Sequence, residues 1–195
     1  PMPIGSKGLV LVKGPQIMKG YYKDIESTEK VLLKTGWFVT GDIGWLSKDK
    51  TLTLTGRLKD TIVLSNGENV EPEGIEQACL TSPYIKQIVL VGQDKSALGA
   101  LISPNEEEIQ TWAIRNNIPV QEAKNHPDFI RLIQKELNLK VQNRPNYRPF
   151  ERIAYFRLLN DGFSIENGLM TFTAKIKKNE VFNKYKDIIE DMYVS

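Results

Sequence analysis

Between Gly36 and Glu76 the chain strings a carboxylate, an arginine and a glycine-bearing loop along short strand-like runs. Gly36-Trp37-Phe38-Val39-Thr40-Gly41-Asp42-Ile43-Gly44-Trp45 comes first, then Thr55-Gly56-Arg57-Leu58-Lys59-Asp60, then Leu64-Ser65-Asn66-Gly67-Glu68-Asn69-Val70-Glu71-Pro72. A Gly-Asp pair alone is a common turn. The three runs in this order and at these spacings are far rarer.

The texture of the sequence changes inside this stretch. Before it, Gly8-Leu9-Val10-Leu11-Val12-Lys13 is a β-rich run ended by Gly14-Pro15. Thr51-Leu52-Thr53-Leu54-Thr55 alternates with period two, behind the polar turn Ser47-Lys48-Asp49-Lys50. Residues 1–56 read as a β-rich piece too short to make a core alone. The opening Pro1-Met2-Pro3-Ile4-Gly5, directly before a strand-like run, reads as an excised piece of a longer protein.

After Gly56 strands and helices alternate, which predicts one compact layered domain over residues 57–195. Thr61 to Leu64, Tyr84 to Val91, Ala97 to Ile102 and Ile153 to Phe156 read as strands. Pro72 to Leu80 reads as a helix with Pro72 in its first turn. Asn105 followed by Glu108 predicts a capping box for a helix that buries Ile109, Trp112 and Ala113. Phe129, Ile133 and Leu137 recur at spacing four behind Pro127. Val181, Phe182, Tyr185, Ile188, Ile189 and Met192 predict one last amphipathic helix. The boundary near Arg57 to Asp60 is no Gly/Ser linker, so motion there would be a short hinge.

The composition excludes several function classes. Hydrophobic residues make up 41% of the 195, enough for a core, and the net charge is only +2. No stretch concentrates basic residues with interleaved aromatics, so nucleic acid is not an expected partner. One cysteine, Cys79, excludes an intrachain disulfide, and one histidine, His126, excludes a multi-His metal site. No apolar run approaches the roughly 18 residues of a membrane span.

Taken singly, the polar candidates have ordinary readings beside functional ones. Asp42, between Gly41 and Gly44, is either a turn-capping residue or a carboxylate that accepts two bonds from a vicinal diol. Arg57 is either a surface arginine or a donor to ribose or phosphate. Lys59-Asp60 reads as a solvated turn pair. Ser65-Asn66-Gly67-Glu68-Asn69 lacks phosphate-loop spacing and reads as a turn. Lys175, on a Thr-rich approach read as an extended loop, belongs either to a solvated basic run with Lys177 and Lys178 or to a site of developing anionic charge. His126 reads as a cap and Cys79 as a core residue.

Together these segments resemble the adenylate-forming acyl-activating superfamily, over essentially the whole chain. Trp37 to Gly44 is similar to its Trp-Phe-x-Thr-Gly-Asp-x-Gly motif, and Gly56 to Glu76 to Gly-Arg-x-Lys-Asp-x-Ile…Gly-Glu-x-Val-x-Pro-x-x-Ile-Glu. Gly8 to Pro15 with Met18 to Tyr22 resembles the Gly-Glu-Leu…Gly-Tyr strand pair, with Lys7-Gly8-Leu9 as a departure. Asn146-Tyr147-Arg148-Pro149 and Phe163 to Thr171 look most like long-chain fatty-acid ligases, of the acyl-acyl-carrier-protein synthetase type. Thr173-Ala174-Lys175 stands where the superfamily usually has Ser-Gly-Lys.

The resemblance implies an α+β fold: the mobile C-terminal domain of an adenylate-forming enzyme, a small sheet flanked by helices, preceded by a β-rich remnant of the large N-terminal domain. It implies an acid–thiol ligase acting in two half-reactions. Fatty acid and ATP give acyl-adenylate and pyrophosphate, and the thiol of CoA or of the pantetheine on acyl carrier protein then takes the acyl group. By position, Asp42 and Arg57 would bind the nucleotide, Lys175 would be catalytic, and Lys59 the hinge. Ser65, Asn66, Gly67 and Glu68 would form the loop on the thiol side. ATP with magnesium would be held mainly by the absent part, and no metal ligand is expected in this segment. The family's phosphate loop and acyl pocket do not occur here, so the segment alone is expected to be inactive. A non-catalytic module that binds acyl carrier protein, or a ligase for another acid, stays open. A cytoplasmic setting is expected, with peripheral membrane contact of the full-length protein undecided.

Overall fold

The structure, a computed structural model, describes residues 2–194. The chain divides into two compact units, one ending at Thr61 and the other beginning at Ile62. That division and the one expected between residues 56 and 57 bracket a single 3-10 turn, Leu58–Asp60.

In the first unit β1 (Gly8–Val12), β2 (Phe38–Leu46) and β3 (Leu52–Arg57) form an antiparallel sheet in that order. The period-two run lies in β3, but Leu52 and Leu54 are 49% and 57% exposed. Among the described residues of this unit only Gly44 and Gly56 are buried. Three strands and one short helix have too little apolar surface to cover themselves. Gly44 sits where the β2–β3 register shifts, and a Cβ there would lie 2.7 Å from the Thr53 carbonyl oxygen. The helix, α1 (Ile25–Val31), was not expected. It buries no residue, so no apolar stripe marks it, and its signal is Asp24, whose carboxylate accepts from the Ser27 N–H at 2.9 Å.

The second unit opens with a small hairpin, β4 (Ile62–Val63) and β5 (Asn69–Val70), followed by α2 (Pro72–Cys79) with Pro72 in its first turn. Its main sheet has the order β6 (Ile85–Val91), β7 (Leu98–Pro104), β8 (Ile153–Leu158). β6 and β7 are antiparallel, whereas β7 and β8 are parallel. The crossover between β7 and β8 holds α3 (Glu106–Arg115), α4 (Val120–Ala123) and α5 (Pro127–Gln142), and α6 (Lys178–Lys184) and α7 (Lys186–Met192) close the chain.

Alternate strand residues feed two cores. Ile88, Leu90, Ala100 and Ile102 pack with Ile75, Ile109, Phe129, Ile133 and Leu137 on one side. Val89, Val91 and Leu101 pack with Leu159, Phe163, Val181 and Met192 on the other. Every residue of β7 is buried, because helices cover both of its faces. The unit is therefore α+β, a small sheet flanked by helices.

Two local expectations are corrected. Asn105 caps α3 by accepting from Glu107 N–H at 3.3 Å, and the reciprocal arm of a capping box is not made. The Asn105 N–H is already given to the Tyr84 carbonyl at 2.9 Å, leaving Glu108 no donor to reach. The last helix is two helices. In a straight helix Val181 and Ile188, seven residues apart, would lie within about 20° of each other. Tyr185 departs from helical geometry (φ −105°, ψ 20°) with its ring edge-on to Phe163 at 6.4 Å. Beyond the break Ile189 and Met192 face the core, and Ile188 is exposed.

Candidate functional site

Asp42 and Arg57 lie side by side. They are register partners across β2 and β3, and Arg57 Nε donates to Asp42 Oδ1 at 3.0 Å. Gly41, at φ +78°, makes the turn of backbone that precedes Asp42. The Thr40 hydroxyl accepts from the Asp42 N–H at 3.0 Å and donates to the Val10 carbonyl at 2.9 Å, tying the aspartate to β1. Among the described residues Asp42 Oδ2 has no partner. The Arg57 side chain is 63% exposed, so the rest of its guanidinium faces solvent. Lys59, in the 3-10 turn, lines a cleft of about 450 Å³ with Tyr21, Tyr22, Asp24 and Lys30.

The other two groups of candidates belong to the second unit. Ser65, Asn66 and Gly67 are exposed and Glu68 half-buried in the β4–β5 turn. Gly67 N–H closes the turn on the Leu64 carbonyl at 2.8 Å with φ +85°, and the Asn66 side chain accepts from Glu68 N–H at 3.1 Å. Lys175 is exposed on a tight hairpin, not the extended loop expected. Met170 bridges Ile176, the Thr171 N–H reaches the Lys175 carbonyl at 2.8 Å, and the Lys175 N–H reaches the Thr171 hydroxyl at 3.1 Å. The threonines read as a loop approach are what close the turn. Ala174, where the superfamily usually has Gly, takes φ +58°.

Residues 59–148 match the family described as AMP-binding enzyme C-terminal domain. The matched residues make up just under half of the chain. It is 43% identical, over 98% of its length, to a chloroplast long-chain-fatty-acid–acyl-carrier-protein ligase of Arabidopsis thaliana. A long-chain-fatty-acid–CoA ligase of Mycobacterium tuberculosis is 35% identical over 97% of the chain. The chain spans 26% and 32% of those relatives' lengths. Among solved structures, the A domain of a carboxylic acid reductase from Segniliparus rugosus, in complex with AMP and a co-purified carboxylic acid, is similar with a TM-score of 0.82 and 26% identity. The alignment covers 96% of this chain and 28% of that one.

Contacts that hold the lysine hairpin were missed in the sequence. Upstream, the Gln87 amide exchanges two bonds with the Phe163 backbone, donating at 2.8 Å and accepting at 2.7 Å. Asn167 then folds the following loop on itself, accepting from Ser164 N–H at 3.0 Å and Leu169 N–H at 3.2 Å. Downstream, Lys178 does not join a solvated basic run. Its ammonium sits 3.0 Å from both Glu76 carboxylate oxygens, and the two side chains are 21% and 12% exposed. These partners are 76 and 102 residues apart, and no local pattern announces them.

The remaining polar candidates are structural. His126 Nδ1 accepts from Asp128 N–H at 3.2 Å as the cap of α5. Cys79 is fully buried, and burial pushes its thiol up to about 12. Arg144 and Glu151 form an ion pair with side chains 16% and 17% exposed, and Glu151 also accepts from Arg148 N–H at 3.1 Å. Among the described residues no group of three or more His, Cys, Asp or Glu side chains is placed to hold a metal ion. None of their helices is long and apolar enough to cross a membrane.

Proposed function

We propose that this chain is the C-terminal part of an ATP-dependent ligase that joins a long-chain fatty acid to a thiol through an acyl-adenylate. The observation that carries this reading is the in-register Asp42–Arg57 pair. Arg57 occupies one carboxylate oxygen and fixes the group's orientation, leaving Oδ2 open for a ribose hydroxyl and the outer guanidinium open for the nucleotide. The AMP-bound relative of similar fold supports a nucleotide as the ligand.

In the first half-reaction a fatty-acid carboxylate oxygen attacks the α-phosphorus of ATP, and pyrophosphate leaves with the electrons of the broken P–O bond. Lys175 supplies a compact positive charge to the oxygens on which charge shifts. In the second, a pantetheine thiol loses its proton, sulfur attacks the acyl carbon, and AMP leaves. The Ser65–Glu68 turn lies on the thiol side of this second step. Lys59 is the hinge about which the second unit alternates between the two steps. ATP brings its own magnesium, held mainly outside these residues. The 43% identity to a ligase named for acyl carrier protein, against 35% to one named for CoA, favours acyl carrier protein as the acceptor.

The test uses the full-length enzyme. Lys175→Ala lowers fatty-acid-dependent ATP–pyrophosphate exchange by about 100-fold and leaves thioester formation from supplied acyl-adenylate nearly unchanged. Equal losses in both halves overturn the role of Lys175. Offering both thiols to the wild-type enzyme decides the acceptor.

A further inference from the structure

The Lys175 hairpin leads directly into α6, and the first residue of α6 is Lys178. A lysine in the first turn of a helix opposes the positive end of the helix dipole, so its position calls for a compensating contact. That contact is Glu76, on α2. Both Glu76 oxygens lie 3.0 Å from Lys178 Nζ, and Oε1 also accepts the Leu90 N–H at 3.0 Å. Leu90 is on β6, an edge strand, so this N–H would otherwise be an unpaired backbone donor. One carboxylate therefore joins α2, the edge of the main sheet and the start of α6.

We propose that Glu76 is a positioning residue for Lys175, and that its ion pair with Lys178 locks the lysine hairpin to the α2–β6 frame. This rests on the catalytic role of Lys175 proposed above. The same frame carries the β4–β5 turn, because Ser65 N–H bonds the Lys95 carbonyl at 2.9 Å and the buried Leu64 packs into the core with Ile75 and Leu90. Lys175 and Ser65–Glu68 are thus fixed within one body and travel together. Only two residues, Ile176 and Lys177, separate Lys175 from Lys178, so freedom at Lys178 passes directly to the lysine. Residues upstream of the hairpin stay pinned by Gln87 whether or not Glu76 is present.

Two neutral variants test this: Glu76→Gln, which keeps an acceptor for Leu90, and Lys178→Met, which leaves Glu76 intact. On the present chain, hydrogen exchange over residues 169–178 accelerates about tenfold or more in both variants, while exchange over α5 is unchanged. The double variant exchanges no faster than either single, because the pair acts as a unit. Lys178→Arg, which keeps the ion pair, restores wild-type exchange. Unchanged exchange over 169–178, or a double variant with the summed effect of the singles, overturns the anchor whatever Lys175 does.

In the full-length enzyme, Glu76→Gln lowers kcat of the adenylation half, leaves KM for ATP and the thioester half unchanged, and has no further effect in a Lys175→Ala background. A further loss in that background overturns the positioning role. If Lys175→Ala itself has no selective effect on adenylation, the catalytic reading fails with it, and the exchange data alone decide the anchor.

Discussion

Arg57 Nε and Asp42 Oδ1 meet at 3.0 Å across β2 and β3 because the two residues are register partners. The pair contributes little to folding: Arg57 is 63% exposed, and ion pairs at such surfaces are worth about 0–1 kcal/mol. A strong effect on nucleotide binding would therefore not be a by-product of unfolding. In the full-length enzyme Asp42→Ala should raise KM for ATP by roughly ten-fold or more while the midpoint of unfolding barely moves. Arg57→Ala should do the same more weakly, since it loosens the carboxylate without removing it. An unchanged KM in both would remove these residues from the nucleotide site.

Much of the second unit was legible because its signals are local. Phe129, Ile133 and Leu137 repeat at helical spacing behind Pro127, and all three are fully buried. Tyr185 shows where local periodicity stops being enough: the pattern around it is continuous, but the backbone leaves helical geometry there, with the ring edge-on to Phe163. At the site, Asp42 and Arg57 were readable as candidates because each sits in a short motif, Asp42 in Trp37 to Gly44 and Arg57 in the run that begins at Gly56. The supports of Lys175 were not, because Glu76 meets Lys178 and Gln87 meets Phe163 only after the sheet and its helices assemble. α1 escaped notice for the opposite reason, having a cap but no buried face.

Alkaline pH should destabilise the second unit. Burial raises the Cys79 thiol from 9.0 to about 12, and Tyr193 is raised in the same direction by burial and by Tyr155 beside it. Groups with raised folded pKa values bind their protons more tightly when folded. Their stabilisation is complete below the unfolded pKa and is lost as pH climbs through the folded one. From pH 9.0 towards 12 Cys79 alone removes up to about 1.4 kcal/mol per pH unit. Urea unfolding across this range should show the decline, and Cys79→Ala should flatten it. Below pH 9.0 the native thiol should resist a disulfide reagent until the chain is unfolded.

Glu151 should matter more for stability than for chemistry. It is the ionic partner of Arg144, whose Nε is buried without a hydrogen-bond partner, and both side chains are over four-fifths covered. Glu151→Ala leaves that guanidinium uncompensated and should cost about 3 kcal/mol in denaturant unfolding. Glu151→Gln retains an acceptor for the Arg148 N–H and should cost less. Equal, negligible costs would mean that water reaches Arg144 freely.

Gly99 tests how tightly α7 is clasped to the sheet. A Cβ on Gly99 would lie 2.7 Å from both Met192 Sδ and the Tyr193 hydroxyl oxygen, and 3.0 Å from Val91 Cγ2. Met192 is fully buried, and the Tyr193 hydroxyl is held near the Ala97 carbonyl at 3.1 Å and the Val91 carbonyl at 3.3 Å. Both atoms belong to side chains held in place, so Gly99→Ala should cost about 1–3 kcal/mol by overpacking. Tyr193→Phe, which loses a hydrogen bond, should cost about 1 kcal/mol alone. Combined, the two should cost less than their sum, because deleting the hydroxyl removes one of the atoms the new methyl meets. Simple additivity in urea unfolding would show that α7 shifts as a whole and that the hydroxyl is not what the methyl strikes.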